Sequence, residues 1–479
     1  MSFMRRYWTQ VHNWVGVLIT PPLAIIFFTG IVLFFHDALY QWEFGRQGQL
    51  TLPQAMDQAA NRLEQQGILK EGGSLSFYPA EEGGFPLMYY GGKGYQAILA
   101  DGTVLKDAIR GNAGRTLLNI HDSLSLPMGL YLAGLVAVLM LVLLINGLVV
   151  HWPNLKRQFQ QYRPDSAKDK WLDLHKLVGI ASLPYLLMYA ITGAAFCLLV
   201  LYQALLLMGP YQGDRSALMN DMGFAQVPQA AKVAAAQLPP SALLAQSQAL
   251  LGAQPNRLTI GPWKDQNQQV IATSSRGREL VETREIIFTP GAKAPLSDIR
   301  QDNMDPSRLI YGAFVALHYG HFGGITLIWL FSALGIACLG MLFGGALRAH
   351  GRLPKSGWLY HYNRKSLVLA GSLPLGTLAL LLAARYLPMD SPARFWAFPW
   401  VFWVVTLLPV LWPMAVGTGR RRVACLWWTG GLFALASLGS IALKQGPELW
   451  AWALALVAGT LVLGAGAALL TRRLSPPAS

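Results

Sequence analysis

Eight apolar stretches, at roughly 11–36, 128–151, 176–205, 323–347, 366–387, 396–416, 424–443 and 448–470, dominate the sequence. Each is close to or above the ~20 residues a helix needs to cross a hydrocarbon core about 30 Å thick. A backbone in lipid must satisfy its own hydrogen bonds, and runs this uniformly apolar do so as helices. The predicted fold class is a mainly α membrane protein with about eight transmembrane helices. Composition agrees, since 53% of the 479 residues are hydrophobic and only 13% are charged, too few for an ordinary soluble enzyme.

The net charge of +14 does not point to nucleic acid, because no basic stripe lies on a soluble segment. The cations sit in alternate loops instead. Arg5 and Arg6 precede the first stretch, Lys156 to Lys176 follow the second, and Arg348, Arg352, Lys355, Arg364 and Lys365 follow the fourth. Arg420 to Arg422 and Arg472 and Arg473 follow the sixth and eighth, whereas the short loops on the opposite side hold only Arg385, Arg394 and Lys444. The positive-inside rule therefore predicts a multi-pass membrane protein with both termini cytoplasmic and lipid all around it. The first stretch lacks a small-residue cleavage site and is expected to be a retained helix. Cys197, Cys338 and Cys425 all fall in apolar stretches, so no disulfide framework, CxxC metal site or CxxCH haem attachment is available.

Two long polar segments, 37–117 and 207–312, interrupt the spans on the outer side. The first reads as a Pro-started helix at 53–66, short alternating runs at 74–78, 86–90 and 96–99, and a turn at Asp101–Gly102. The second repeats the plan, with a helix near 227–238 and runs near 257–260, 269–273 and 285–288. Both are predicted to be small α+β modules on the outer side. The expected organisation is helix 1 (1–36), first module (37–117), helix 2 (118–152), basic loop (153–174), helix 3 (175–206), second module (207–312), helix 4 (313–350) and a four-helix C-terminal region (351–479).

The repeat continues in the membrane. VHNWVGVLITPPLAIIFFTG and LHKLVGIASLPYLLMYAITG match at one offset, pairing His12 with His175, Gly16 with Gly179, Pro21 with Pro184, and Thr29–Gly30 with Thr192–Gly193. A second, weaker match pairs His121 with His318 and Gly147 with Gly344. None of the nine histidines lies in the polar modules or in the last four stretches. With the predicted topology, His12 and His175 belong near the cytoplasmic face and His121 and His318 near the outer face, one pair in each layer of a duplicated four-helix core.

Paired neutral imidazoles from facing helices are what a six-coordinate haem iron takes as axial ligands. Gly16 and Gly179, four residues after their histidines on the same helical face, would leave room for a flat macrocycle. Arg5, Arg6 and Lys176 at the inner pair, and Arg115 and Arg308 at the outer pair, could meet propionates. Secondary ligand candidates are His321, His36, His151 and His350, while His361 reads as a loop residue. Two blander readings stand beside this. A histidine near a membrane helix end is often an interfacial residue, and histidines also build proton relays or metal pathways. The latter usually recruit intramembrane carboxylates, and these spans carry only the end-positioned Asp37, Asp122 and Asp173. The tryptophans read as interface anchors.

The segments VHNWVG and LHKLVG, the Thr–Gly near the end of the same helices, the outer modules and LHYGHFGG before the fourth span resemble the PepSY-associated transmembrane proteins. That family includes bacterial inner-membrane ferric-siderophore reductases. The resemblance covers about residues 1–350 and implies PepSY-like periplasmic modules, with two non-covalent b-type haems in a four-helix core. By position it puts the axial ligands on His12, His121, His175 and His318. The implied activity is an oxidoreductase that reduces a periplasmic ferric siderophore to release ferrous iron, with periplasmic iron-binding proteins as further partners. The four C-terminal spans depart from the pattern, being found in only some relatives. No nucleotide site is expected, because Gly464–Ala465–Gly466 lies inside an apolar stretch after no strand. The electron donor is then a quinol or a separate reductase. Alternative readings are a haem-free permease or accessory subunit for siderophore or metal uptake, and an envelope regulator whose modules bind a peptidase.

Overall fold

The computed structural model describes residues 3–45, 48–79, 85–92, 94–106, 111–152, 162–163, 169–275, 280 and 283–416. Among them six helices are long and apolar enough to cross a membrane, and the chain is a multi-pass membrane protein. The predicted stretches 424–443 and 448–470 lie outside the described residues.

Helix α1 (Phe3–Leu33) carries Pro21 and Pro22 without breaking. Its repeat partner is not one helix, as expected, but two: α6 (Lys170–Ala181) stops at Ser182, and α7 (Leu183–Met208) starts with Pro184 in its first turn. There a proline forfeits no hydrogen bond, because the first N–H groups of a helix have no intrahelical acceptor. The chain leaves α1 into the short α2 (His36–Phe44) rather than continuing to residue 36.

A second correction concerns the outer histidines. His121 and His318 are not on the spans themselves. They sit near the ends of separate short helices, α4 (Ala113–Ser123) and α10 (Pro306–Tyr319), which precede the spans α5 (Gly129–His151) and α11 (Gly324–His350). Each short helix ends on a left-handed residue, Leu124 at φ 52° and Gly320 at φ 72°. Left-handed backbone cannot continue a helix, so the chain turns there before entering the apolar stretch.

The two polar segments do not form separate modules. Strands β1 (Leu75–Tyr78), β2 (Leu87–Gly91), β3 (Tyr95–Ile98) and β4 (Val104–Lys106) come from the first. Strands β5 (Arg257–Gly261), β6 (Gln269–Ser275), β7 (Thr283–Phe288) and β8 (Ser297–Ile299) come from the second. They join in one antiparallel sheet of order β4-β3-β2-β1-β5-β6-β7-β8, sewn where β1 pairs with β5, Ser76 opposite Thr259. Each half would otherwise expose the first strand as an open edge, and mutual pairing satisfies both.

Two helices, α3 (Leu52–Gln65) and α9 (Pro240–Leu251), share an apolar core with the inward residues of the sheet, including Phe77, Tyr89, Leu258 and Phe288. Helix α3 starts at Thr51, whose N–H donates to the Gln54 side chain at 2.8 Å, a cap that the sequence carries as Thr followed by Gln three residues on. The helix expected near 227–238 does not form. That stretch is held extended, with the N–H groups of Ala231 and Lys232 donating to the Asp265 carboxylate at 2.9 and 2.8 Å and the Ala235 N–H donating to the Lys264 carbonyl. Its helical alanines yield to tertiary hydrogen bonds, and the helix begins at Pro240 instead. The short helix α8 (Arg215–Asp221) links α7 to this segment.

Helices α12 (Trp358–Tyr386) and α13 (Ala393–Val416) pack on the first-repeat side of the core. Tyr362 donates to the Leu18 carbonyl of α1 at 2.7 Å, and Asn363 donates to the Ala346 carbonyl of α11 at 2.9 Å. One apolar cluster joins Phe28, Leu117, Phe343, Leu373 and Phe398 from five helices.

Candidate functional site

The repeat brings its histidines together two by two. His12 of α1 and His175 of α6 stand with ring centroids 6.2 Å apart and planes at 85°. His121 of α4 and His318 of α10 stand 6.2 Å apart at 61°. Measured along α1 at about 1.5 Å per residue, the two layers are roughly 25 Å apart.

Each ring rests against a glycine of a neighbouring helix. His12 faces Gly147 of α5, His121 faces Gly30 of α1, His175 faces Gly345 of α11 and His318 faces Gly193 of α7. Each repeat therefore uses the same pair of platforms: the span carries a glycine under the first histidine, and the first helix carries one under the second. A Cβ at Gly30 would come 2.9 Å from His121 Cε1, and one at Gly345 would come 2.8 Å from His175 Nδ1. The alignment of Gly147 with Gly344 misses the second platform by one residue, since Gly344 instead faces Trp171.

The ring nitrogens are oriented from behind. His121 Nδ1 lies 2.9 Å from the Ile26 carbonyl and 3.4 Å from Thr29 Oγ1. His175 Nδ1 lies 2.9 Å from the Met341 carbonyl, and His318 Nδ1 lies 2.9 Å from Thr192 Oγ1. A carbonyl only accepts, so Nδ1 of His121 and of His175 carries the proton, which leaves Nε2 as the free lone pair. The Thr192 hydroxyl donates to the Met188 carbonyl at 2.7 Å, so it too accepts from its histidine. Thr29 repeats that donation to Ile25 at 2.7 Å. His12 Nδ1 is buried near the Leu143 carbonyl without a hydrogen bond of good geometry. Hydrogen bonds to the ring nitrogen away from the metal fix tautomer and ring direction in metal-ligating histidines.

Between and above the outer pair lies a cavity of about 1110 Å³ that runs from Met140 and Tyr185 among the spans to Tyr78 and Met88 at the sheet. Gly30 and Gly193 open its sides, and Arg115 and His36 are also on its wall. Arg308 is not available there, contrary to expectation. It is buried, donating to Glu285 Oε1 at 2.8 Å and to the Gly223 carbonyl at 3.0 Å. At the inner pair, the space beside Gly16 is open, whereas that beside Gly179 is closed by Met341 Sδ. Arg6 is exposed and Lys176 is partly buried on α6 beside His175. The side chain of Arg5 lies outside the described residues.

The secondary histidines separate by environment. His36 bonds Asp37 at 3.2 Å and packs on Tyr40. His151 at the end of α5 is within electrostatic reach of His12. His350 is buried and stacked on Tyr360, with neither ring nitrogen hydrogen-bonded. The side chain of His321 lies outside the described residues, and His361 is exposed. Among the described residues no cluster of three or more His, Cys, Asp or Glu side chains is placed to hold one metal ion. What the geometry offers is twofold sites of neutral nitrogen. On the second-repeat side a column of aromatic rings runs from mid-span up to the outer pair, from Tyr185 to Tyr189 at 4.7 Å and from Tyr189 to His318 at 5.2 Å.

The family model described as the PepSY-associated TM region matches residues 9–348. The chain belongs to that family. The match opens just before His12 and closes within α11, so the PepSY-associated region takes in both histidine pairs and the whole sheet and leaves out α12 and α13. No curated protein matches the chain.

Proposed function

We propose that this PepSY-associated protein is a di-haem oxidoreductase that carries electrons across the bacterial inner membrane to a periplasmic ferric siderophore, releasing ferrous iron. The observation that carries the reading is the recurrence of one geometry at two depths, two imidazoles with centroids 6.2 Å apart. Nitrogens about 2 Å from a shared metal put imidazole centres roughly 6 Å apart. No carboxylate or thiolate joins either pair among the described residues, which suits axial ligation of a haem iron, whose other four donors belong to the macrocycle.

The residues fit the group. His12 with His175 would hold one b-type haem and His121 with His318 the other. The cavity at the outer pair exceeds the usual 300–1,000 Å³ of a small-molecule site, and Arg115 on its wall offers a cation for a propionate. Bound haem supplies a one-electron carrier at each depth. The protein's own part is to keep Nε2 of His121, His175 and His318 unprotonated through their Nδ1 bonds, to leave room through glycine platforms and to exclude water with apolar spans. Lys170, Lys176, Arg348, Arg352, Lys355, Arg364 and Lys365 all lie at the His12/His175 end of the bundle, which supports a cytoplasmic inner layer and a periplasmic sheet. A quinol or a separate reductase would supply the electrons.

The test is a reduced-minus-oxidised visible spectrum of the purified protein with a haem stoichiometry. Two b-type haems per chain are expected, with one lost in His12→Ala and the other in His318→Ala. A protein that stays colourless after growth with ample haem would sink the reading and favour the haem-free permease or envelope regulator.

A further inference from the structure

The two helices that carry the outer histidines are held at their starts by different means. In the second repeat α10 brings its own arginine. Arg308 is 5% exposed, and its guanidinium lies 2.8 Å from Glu285, a fully buried carboxylate on β7. The ion pair ties the His318 helix to the sheet.

The first repeat has no arginine at the equivalent position, its Arg115 facing the cavity instead. The offset that relates His121 to His318 relates Gly111 to Arg308, so a glycine stands where the arginine should be. The space beside that glycine is filled from elsewhere: a Cβ on Gly111 would come 3.2 Å from the Cβ of Arg394. Arg394 belongs to α13, outside the repeat. It is 1% exposed, lies 3.1 Å from Glu43 Oε1, donates to the Ala384 carbonyl at 2.7 Å and stacks over Phe398. The second oxygen of Glu43 accepts the N–H of Ala113, the first residue of α4, at 2.9 Å. A carboxylate at a helix start satisfies an orphan donor and meets the positive end of the helix dipole. That carboxylate is itself fully buried, so it needs a cation beside it.

We propose that Arg394 supplies in the first repeat the guanidinium that Arg308 supplies in the second, which makes the C-terminal helices part of the apparatus that positions His121. Arg394 neutralises Glu43, Glu43 holds the start of α4, and α4 sets where the His121 ring stands against Gly30 and the Ile26 carbonyl. Both are positioning residues, since neither touches the histidine. The inference rests on the di-haem reading for its spectroscopic consequence, although not for the mechanical one.

The experiment compares Arg394→Met, Arg394→Lys and the double variant Glu43→Gln/Arg394→Met in the full-length protein, following haem content and potential at each site together with hydrogen exchange of the α4 amides. Arg394→Met is expected to weaken haem retention at the outer site about tenfold, as loss of a group that orients a ligand does, while the inner site stays unchanged and α4 exchanges faster. Arg394→Lys should restore part of the loss. The double variant should restore more, because it leaves no unpaired buried charge. An outer site and α4 exchange unchanged in Arg394→Met would overturn the proposal, and so would a double variant no better than the single one, which would mean packing rather than charge. A wild-type protein without haem defeats the di-haem reading, and α4 exchange in the same variants then still decides this one.

Discussion

Thr192 accepts a hydrogen bond from His318 at 2.9 Å and passes it on, through its own hydroxyl, to the Met188 carbonyl at 2.7 Å. One turn earlier in the same kind of helix, Ile26 offers His121 a bare carbonyl at 2.9 Å, with the equivalent Thr29 standing back at 3.4 Å. The two outer rings are thus oriented by different acceptors, His318 by the Thr192 hydroxyl and His121 chiefly by the Ile26 carbonyl. Thr192→Val keeps the shape but removes the acceptor that His318 Nδ1 has among the described residues, and leaving a buried donor unmet costs about 1–3 kcal/mol. On the di-haem proposal, the outer haem should then be retained roughly tenfold to a hundredfold less well in a haem-transfer titration. Thr29→Val should fall well short of that, because the Ile26 carbonyl remains. Equal losses in the two variants would contradict the assignment.

The far edge of the sheet is fastened by Asp298. Arg284 reaches it with two bonds at 2.9 and 2.8 Å, and Arg300 adds two at 3.0 and 2.7 Å. These guanidinium bonds hold its carboxyl well below the usual carboxylate range. A depressed folded-state value gives stability that is present above the unfolded value and is lost as pH falls through the folded one. The side chain is a quarter exposed, so the contribution is of order 1 kcal/mol after screening. Asp298→Asn should lower the thermal midpoint at neutral pH, and the gap from wild type should close on acidification below the carboxylate range. A gap that persists in acid would show that the charge is not what holds β8.

The seam between the two halves of the sheet can be tested by linking it. Ser76 and Thr259 are direct partners across β1 and β5, their hydroxyls 2.9 Å apart, and such partners have Cβ atoms about 4.5–5.5 Å apart, near the reach of a disulfide. Ser76→Cys with Thr259→Cys should cross-link in high yield in an oxidising compartment, read as a linked peptide pair by mass spectrometry. Ser76→Cys with Ser274→Cys, two strands away, should not. Failure of the first pair would mean that the halves are separate modules after all.

Periodicity and repeats made much of this architecture legible. Seven of the eight strands start within two residues of an alternating run or follow a marked turn, because a strand with one buried face writes that face into its sequence. The pairing of His12 with His175 and of His121 with His318 was likewise readable from the offset. What stayed hidden depends on distant chain segments. Residues 227–238 look helical locally, and only Asp265 explains why they are extended. Arg308 looked like an outer cation for a ligand until Glu285 was seen beside it. Gly30 and Gly193 were visible as repeat identities, yet nothing in a one-dimensional pattern says that a glycine in one helix is the floor under a histidine in another.

Those floors give the sharpest forecast, because they differ in clearance. Added methyl groups at Gly30 and Gly345 would sit 2.9 and 2.8 Å from an imidazole atom, inside van der Waals contact, whereas at Gly147 and Gly193 the nearest imidazole atoms are 3.5 and 4.0 Å away. Neither His121 nor His175 can retreat without stretching its Nδ1 bond to Ile26 or Met341. On the di-haem proposal, Gly30→Ala should therefore loosen the outer haem and Gly345→Ala the inner one, each by about tenfold or more. Gly147→Ala and Gly193→Ala should leave both near wild type, and the better helix propensity of alanine should favour their helices slightly. The check is haem occupancy resolved by site in all four variants. A uniform effect, or a loss in the two roomy positions, would mean that the rings do not stand where the platforms place them.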